Sequence, residues 1–279
     1  MTWALKSLAA AAAFVAAGSA SAFTTTLHTN ETITDFGYPL YGLSGAGTLN
    51  FSSVLIGALN AGKVAVAGVA PASANVTYKT NNATKVVSIA TASAAAPVQS
   101  ITFDYTSVGL TLQKVGTLGG TRQTAANANI ATTGGFLEIS DLSVDLTTKK
   151  VFATLNGGNG IGVMNNVELW DVTTITGPTS FDLTSLSISS LPADIVFTNT
   201  LAGLKINANA YNIFATSLGL TANGRLSLSS VTDFGTITSS ISITINVLTP
   251  GVPEPTTYAL MGTGLFAISL VARRRRAKQ

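Results

Sequence analysis

Along most of the chain, apolar and polar residues alternate one for one, the spacing of a strand with a single buried face. In "ISITINVL", Ile241, Ile243, Ile245 and Val247 fall on one side, and Ser242, Thr244 and Asn246 on the other. "FLEISDLSVDLTTKKVFATLNGG" carries the same signal with a break in it: Leu137 and Ile139 are apolar at odd positions, Leu142, Val144 and Leu146 at even ones. Such a change of parity at Ser140-Asp141 predicts a β-bulge. The chain then turns near Thr148-Lys149 and returns through Val151, Ala153 and Leu155. Asn223-Gly224 in "TANGRLSLS" predicts a two-residue hairpin, because both positions tolerate positive φ, and Asn81-Asn82 predicts another turn.

One stretch departs from this pattern. In "LKINANAYNIFATSLGL", Leu204, Tyr211, Phe214 and Leu218 approximate helical spacing, against the weak helix propensity of Asn and β-branched residues. A polar, glycine-rich link joins Val115 to Phe136 and is the place for a subdomain break, near 116–135. It reads as a long exposed loop of a single unit. The expected body, residues 23–250, is all-β and antiparallel, with a sandwich-like arrangement.

The two ends follow different rules. Residues 1–22 read as a signal peptide: Lys6, an apolar run from Leu8 to Ala17, and a closing Ala20-Ser21-Ala22. Ala20 and Ala22 give the small-x-small form that signal peptidase recognises, which sets the expected mature start at Phe23. At the other end, residues 251–279 hold Pro253-Glu254-Pro255, an uncharged segment 256–272 and a basic tail 273–279. As a helix that apolar segment is roughly 25 Å long, just short of a hydrocarbon core. Arg273, Arg274, Arg275 and Arg276 supply a cytoplasmic anchor under the positive-inside rule. The prolines hold the approach to the membrane in extended backbone, open to a processing enzyme.

In its order of Val-Pro-Glu-Pro, apolar run and arginine block, the last stretch resembles the PEP-CTERM sorting signal. The same tail is similar to the C-terminal domain of so-called ice-binding proteins. The PEP-CTERM resemblance implies processing by exosortase, an inner-membrane enzyme of Gram-negative bacteria that make exopolysaccharide. The apolar helix is then a transient anchor, and the body is delivered to the cell surface or extracellular matrix.

Charge changes the picture once it is apportioned. The chain is formally +3, but Lys6, the four terminal arginines and Lys278 all lie in the two end segments. Nine basic residues then face twelve acidic ones, so 23–255 is formally −3. With no basic patch in the body, a nucleic-acid partner is excluded. The absence of cysteine from an expected exported chain excludes disulfide staples, zinc–thiolate sites and thiol nucleophiles.

The body offers few residues for chemistry. The single histidine, His28, has no nucleophile motif near it and reads as a surface strand residue. Glu138, Asp141, Asp145, Glu168 and Asp171 are the densest carboxylates, and paired acids hydrolyse glycosides when held about 5–10 Å apart. They occupy polar strand positions, where solvent-facing acids are ordinary. A calcium site near the loop Asn156–Gly162 is a milder alternative, although that loop carries no acid of its own. Gly157-Gly158-Asn159-Gly160 reads as a hairpin, lacking the Lys-Ser/Thr of a phosphate loop. Trp170 and Tyr211 are candidates for stacking on sugars.

The expectation is a non-enzymatic exported protein without a cofactor, handled by signal peptidase, exosortase and, transiently, the inner membrane. It would serve as a structural or interaction component associated with exopolysaccharide. A carbohydrate-binding module is the alternative and would need surface aromatics in a groove. Ice binding ranks lower, because it calls for a flat threonine array and "FTTTLHT" is one short stretch. A glycoside hydrolase is remote.

Overall fold

The computed structural model describes residues 23–246 except 35–37, 107, 128–129 and 187–190. Among the described residues the strands are β1 (Phe23–His28), β2 (Leu40–Phe51), β3 (Val64–Val69), β4 (Ser73–Thr80), β5 (Val87–Thr106), β6 (Gly109–Thr117) and β7 (Gly120–Ala125). They continue as β8 (Gly135–Asp145), β9 (Lys150–Gly157), β10 (Gly162–Thr176), β11 (Ser180–Asp182), β12 (Ala193–Ile206) and β13 (Gly235–Ile245). Helix α1 (Ser53–Ala61) follows β2, and α2 (Ala208–Ser217) and α3 (Ala222–Ser229) lie between β12 and β13.

All thirteen strands belong to one sheet with antiparallel pairing, so the all-β antiparallel expectation holds. The two-layer arrangement is corrected. The ladder β6-β5-β2-β13-β12-β10-β9-β8 returns to its start, because β6 also pairs with β8 through Lys114↔Asp145, Val115↔Val144 and Gly116↔Ser143. Eight strands therefore close into a ring, which removes the open edges that two separate sheets would leave.

The period-two signals map onto this ring. Ile241, Ile243 and Ile245 of β13 are buried, while Ser242 and Thr244 between them are half-exposed; Val247 lies outside the described residues. In β8 the expected bulge is present: the register shifts between Ser140 and Ser143, and Asp141 has a φ of 52°. Leu137, Ile139 and Val144 are buried across that shift. The return through Val151, Ala153 and Leu155 is buried as well, after a turn in which Lys149 has a φ of 56°. At the Asn81 turn, the side chain accepts from the backbone N–H groups of Ala83 and Thr84.

Two local expectations are overturned. The link 116–135 is not a long exposed loop. Thr117 ends β6, and after a break at Leu118-Gly119 the chain resumes as β7, paired with β8 on one side and β3 on the other. Thr121, Gln123 and Ala125 are buried while Arg122 and Thr124 are exposed, so this is an alternating strand whose inward residues are largely polar. Asn223-Gly224 is not a hairpin either but lies in α3, where the Thr221 side chain accepts from Gly224 N–H as the N-cap. Glycine is needed there for a close approach, since a Cβ would meet the Ala131 carbonyl oxygen at 2.0 Å.

The helical reading of the Leu204–Leu218 region holds only from Ala208 onward, in α2, which is capped by Asn207 and carries Phe214 into the core; Leu204 remains in β12. Helix α1 is not announced by the strand pattern. Its N-cap is Ser52, which accepts from Leu55 N–H at 3.0 Å. Register places all three helices at one end of the ring: Phe51, after which α1 starts, is opposite Gly235, and Ala202 near the end of β12 is opposite Thr236. Leu59, Phe214, Leu218 and Leu228 of these helices and their borders join Leu49, Leu137, Trp170 and Ile237 in one apolar cluster. A second cluster, with Leu40, Phe103, Phe197 and Ile243, fills the other end.

Candidate functional site

The five carboxylates singled out from the sequence are spread along strands, and each has a structural partner. Asp145 closes the ring: it lies 3.2 Å from Lys114 Nζ and accepts from the N–H groups of Thr147 and Thr148 at 3.0 and 2.9 Å. Partial burial works to raise its pKa, but the Thr148 and Lys114 hydrogen bonds outweigh it and hold the group below its ordinary value. Glu168 accepts from Lys150 Nζ at 2.5 Å and from Asn207 Nδ2 at 3.0 Å, and the lysine bond above all lowers its pKa. Asp171 shares the same lysine at 3.6 Å. Glu138 pairs with Arg122 at 3.5 Å, whose guanidinium sits over the Phe136 ring. Asp141 accepts from Gly119 N–H at 2.9 Å. Among the described residues no three acids or histidines converge as a metal cluster. His28 is exposed on β1, as expected, opposite Ser100.

The Asn156–Gly162 region is the β9–β10 hairpin, with Asn159 and Gly160 at positive φ. Asn159 Nδ2 donates toward the carbonyls of Gly134, Thr216 and Ser217, so the loop clasps the end of α2.

The aromatic candidates for sugar stacking are corrected. A register shift between Glu168 and Trp170 turns the indole inward, where it is buried with its centroid 5.9 Å from that of Phe234. Tyr211 is half-buried and donates to the Arg225 carbonyl at 2.9 Å. A different pair of aromatics meets at the opposite end of the ring. Tyr38 and Tyr105, with Leu183, Thr184, Leu186, Leu191 and Ile245, line an open cleft of about 250 Å³. Burial, and then the neighbouring Tyr38, raise the Tyr105 pKa, so its hydroxyl stays protonated as a donor. No sequence motif points to this cleft, because residues 67 positions apart form it through folding alone.

The outer wall is rich in hydroxyls. Register aligns Thr176, Thr200, Thr238 and Thr48 in a single row across β10, β12, β13 and β2. Thr24 and Thr26 of "FTTTLHT" instead bond across to Asp104 and Thr102.

The processing residues, namely Ala20 and Ala22, Pro253, Glu254 and Pro255, the apolar segment 256–272 and Arg273 to Arg276, lie outside the described residues. Among the described residues no helix is long and apolar enough to cross a membrane. For the tail, comparison with known families is decisive: residues 251–276 match the PEP-CTERM protein-sorting motif. No curated protein and no solved structure matches the chain. The motif supports an exported protein sorted by exosortase, with transient membrane anchoring through the C-terminal tail.

Proposed function

We propose that this is a non-enzymatic component of the cell surface or extracellular matrix, associated with exopolysaccharide and delivered there by signal peptidase and exosortase in turn. The observation that carries the reading is the sorting motif at 251–276, separated from the end of β13 by five residues. Met1 to Ala22 direct export, Pro253-Glu254-Pro255 is the segment read by exosortase, and the apolar segment 256–272 with Arg273 to Arg276 holds the chain until it is processed. What supports a non-enzymatic role is that each of the five densest carboxylates already holds a lysine, an arginine or a backbone N–H. The threonine row on the outer wall supports contact with a hydroxylated polymer: Thr176 and Thr238 donate to the carbonyls of Thr200 and Thr48 within the row, and their hydroxyl oxygens can still accept.

A carbohydrate-binding module is the second reading. The cleft of Tyr38 and Tyr105 favours it, placing two rings and Thr184 in one groove beside Ile245.

Intact-mass analysis of protein from each fraction of the native host tests the main reading. The mature chain is expected to begin at Phe23 and to lack the apolar tail, whereas Glu254→Ala should accumulate as a membrane-bound form. Release of Glu254→Ala with wild-type mass and yield would reduce the Pro-Glu-Pro to a stalk.

A further inference from the structure

We propose that the ring interior binds a small neutral amphiphile, a slender apolar molecule ended by one hydroxyl group. A cavity of about 90 Å³ lies between the strands and the helices, walled by side chains such as Leu49, Leu137, Phe214 and Phe234. A purely apolar void of that kind can stay dry and unused. This one also has two polar groups in its wall. Gln123 and Trp170 line it, both are more than nine-tenths buried, and neither Gln123 Oε1 nor Trp170 Nε1 has a hydrogen-bond partner among the described residues.

The Gln123 amide nitrogen is engaged with Thr121 Oγ1 at 2.8 Å, which leaves its oxygen as the free acceptor. A buried acceptor and a buried donor left bare are each unfavourable. A hydroxyl has the chemistry to satisfy either group: its O–H can donate to Gln123 Oε1, and its oxygen can accept from Trp170 Nε1. Among the described residues no charged side chain lines the cavity, so an ionic head would enter without a counter-charge.

A second pocket of about 40 Å³, between α1 and α3, shares Leu55, Leu59, Leu218 and Leu228 with the cavity. These four leucines are the partition between the two spaces. An alkyl chain that parts them runs outward between the helices while its head stays inside.

Trp170 also supplies the readout. The chain has two tryptophans, so Trp3→Phe in the full-length protein leaves Trp170 as the sole indole emitter. Titration with 1-hexanol should shift its emission saturably and raise the melting temperature. Hexanoate at pH 8 should do neither.

Gln123→Leu removes the free acceptor and an unsatisfied buried oxygen together. It should fold at least as well as the wild type yet bind 1-hexanol roughly tenfold more weakly, the loss of about one hydrogen bond. Gly47→Val fills the cavity, since a Cβ at 47 meets only Thr117 Cγ2 at 3.7 Å, and should abolish the response. If Gly47→Val does not fold, Gln123→Leu decides alone. A wild-type protein with no saturable response would mean that ordered water alone occupies the cavity, and overturns the proposal. So would a response that Gln123→Leu leaves unchanged, or hexanoate binding as tightly as hexanol.

Discussion

Ile243 and Ser242 are neighbours in the chain but differ in surroundings: the first is 1% exposed in the apolar cluster of one ring end, the second half-exposed on the outer wall. Ile243→Asp forces a charge into that cluster at a cost of several kcal/mol, comparable with the whole stability of a domain. It should abolish the cooperative melt. Ser242→Asp should move the melting temperature by no more than a few degrees. Circular dichroism melts of the two variants check this, and equal damage from both would mean that β13 is not one-sided.

At the scale of elements, the bulge in β8 and the break between β6 and β7 hold each other. Gly119 N–H donates to Asp141 Oδ1, and Asp141 N–H donates back to the Gly119 carbonyl. Asp141 sits at positive φ, which Asn tolerates and Ala does not. Asp141→Ala should therefore destabilise by about 1–3 kcal/mol, and Asp141→Asn, which keeps an acceptor and the backbone preference, by well under half of that. Urea titrations with a common m-value measure both.

The β8 bulge was legible because Leu137, Ile139, Leu142, Val144 and Leu146 wrote the parity change in apolar residues. Strand β7 was hidden because two of its three inward residues are Thr121 and Gln123, so the period was present without the hydrophobicity that advertises it. In α3, Leu226 and Leu228 imitated a strand. On a helix positions two apart diverge, and only Leu228 is buried while Leu226 is 70% exposed. The tail was legible because it is a local, ordered motif. Neither the tyrosine cleft nor the buried cavity could be read in the same way, since each brings together residues far apart in sequence.

For the whole molecule, acid is the informative perturbation. The native-state pKa values of Asp145 and Glu168 lie below the ordinary 3.8 and 4.5. A depressed carboxylate contributes stability that is fully present above its unfolded pKa and is lost as pH falls through the native value. The melting temperature should thus be flat from neutrality to about pH 5 and fall steeply below about pH 4. Asp145→Asn should lower the plateau and flatten part of the acid limb. Calorimetry across that range tests the sign, and a rise in stability on acidification would contradict the ion pairs described.

The position of β13 also governs timing. It lies between β2 and β12 and pairs Ile245 with Leu40, so the last strand of the body is hydrogen-bonded beside one of the earliest. Such pairing has a high contact order and must wait for both partners. In a chain threaded outward from its N-terminus, β2 through β12 emerge as an incomplete arc. The arc cannot close until the residues just ahead of the sorting motif have crossed. Folding is then completed by the end of transit, while the tail is still in the membrane, and the finished ring becomes a record that translocation has run to its last segment.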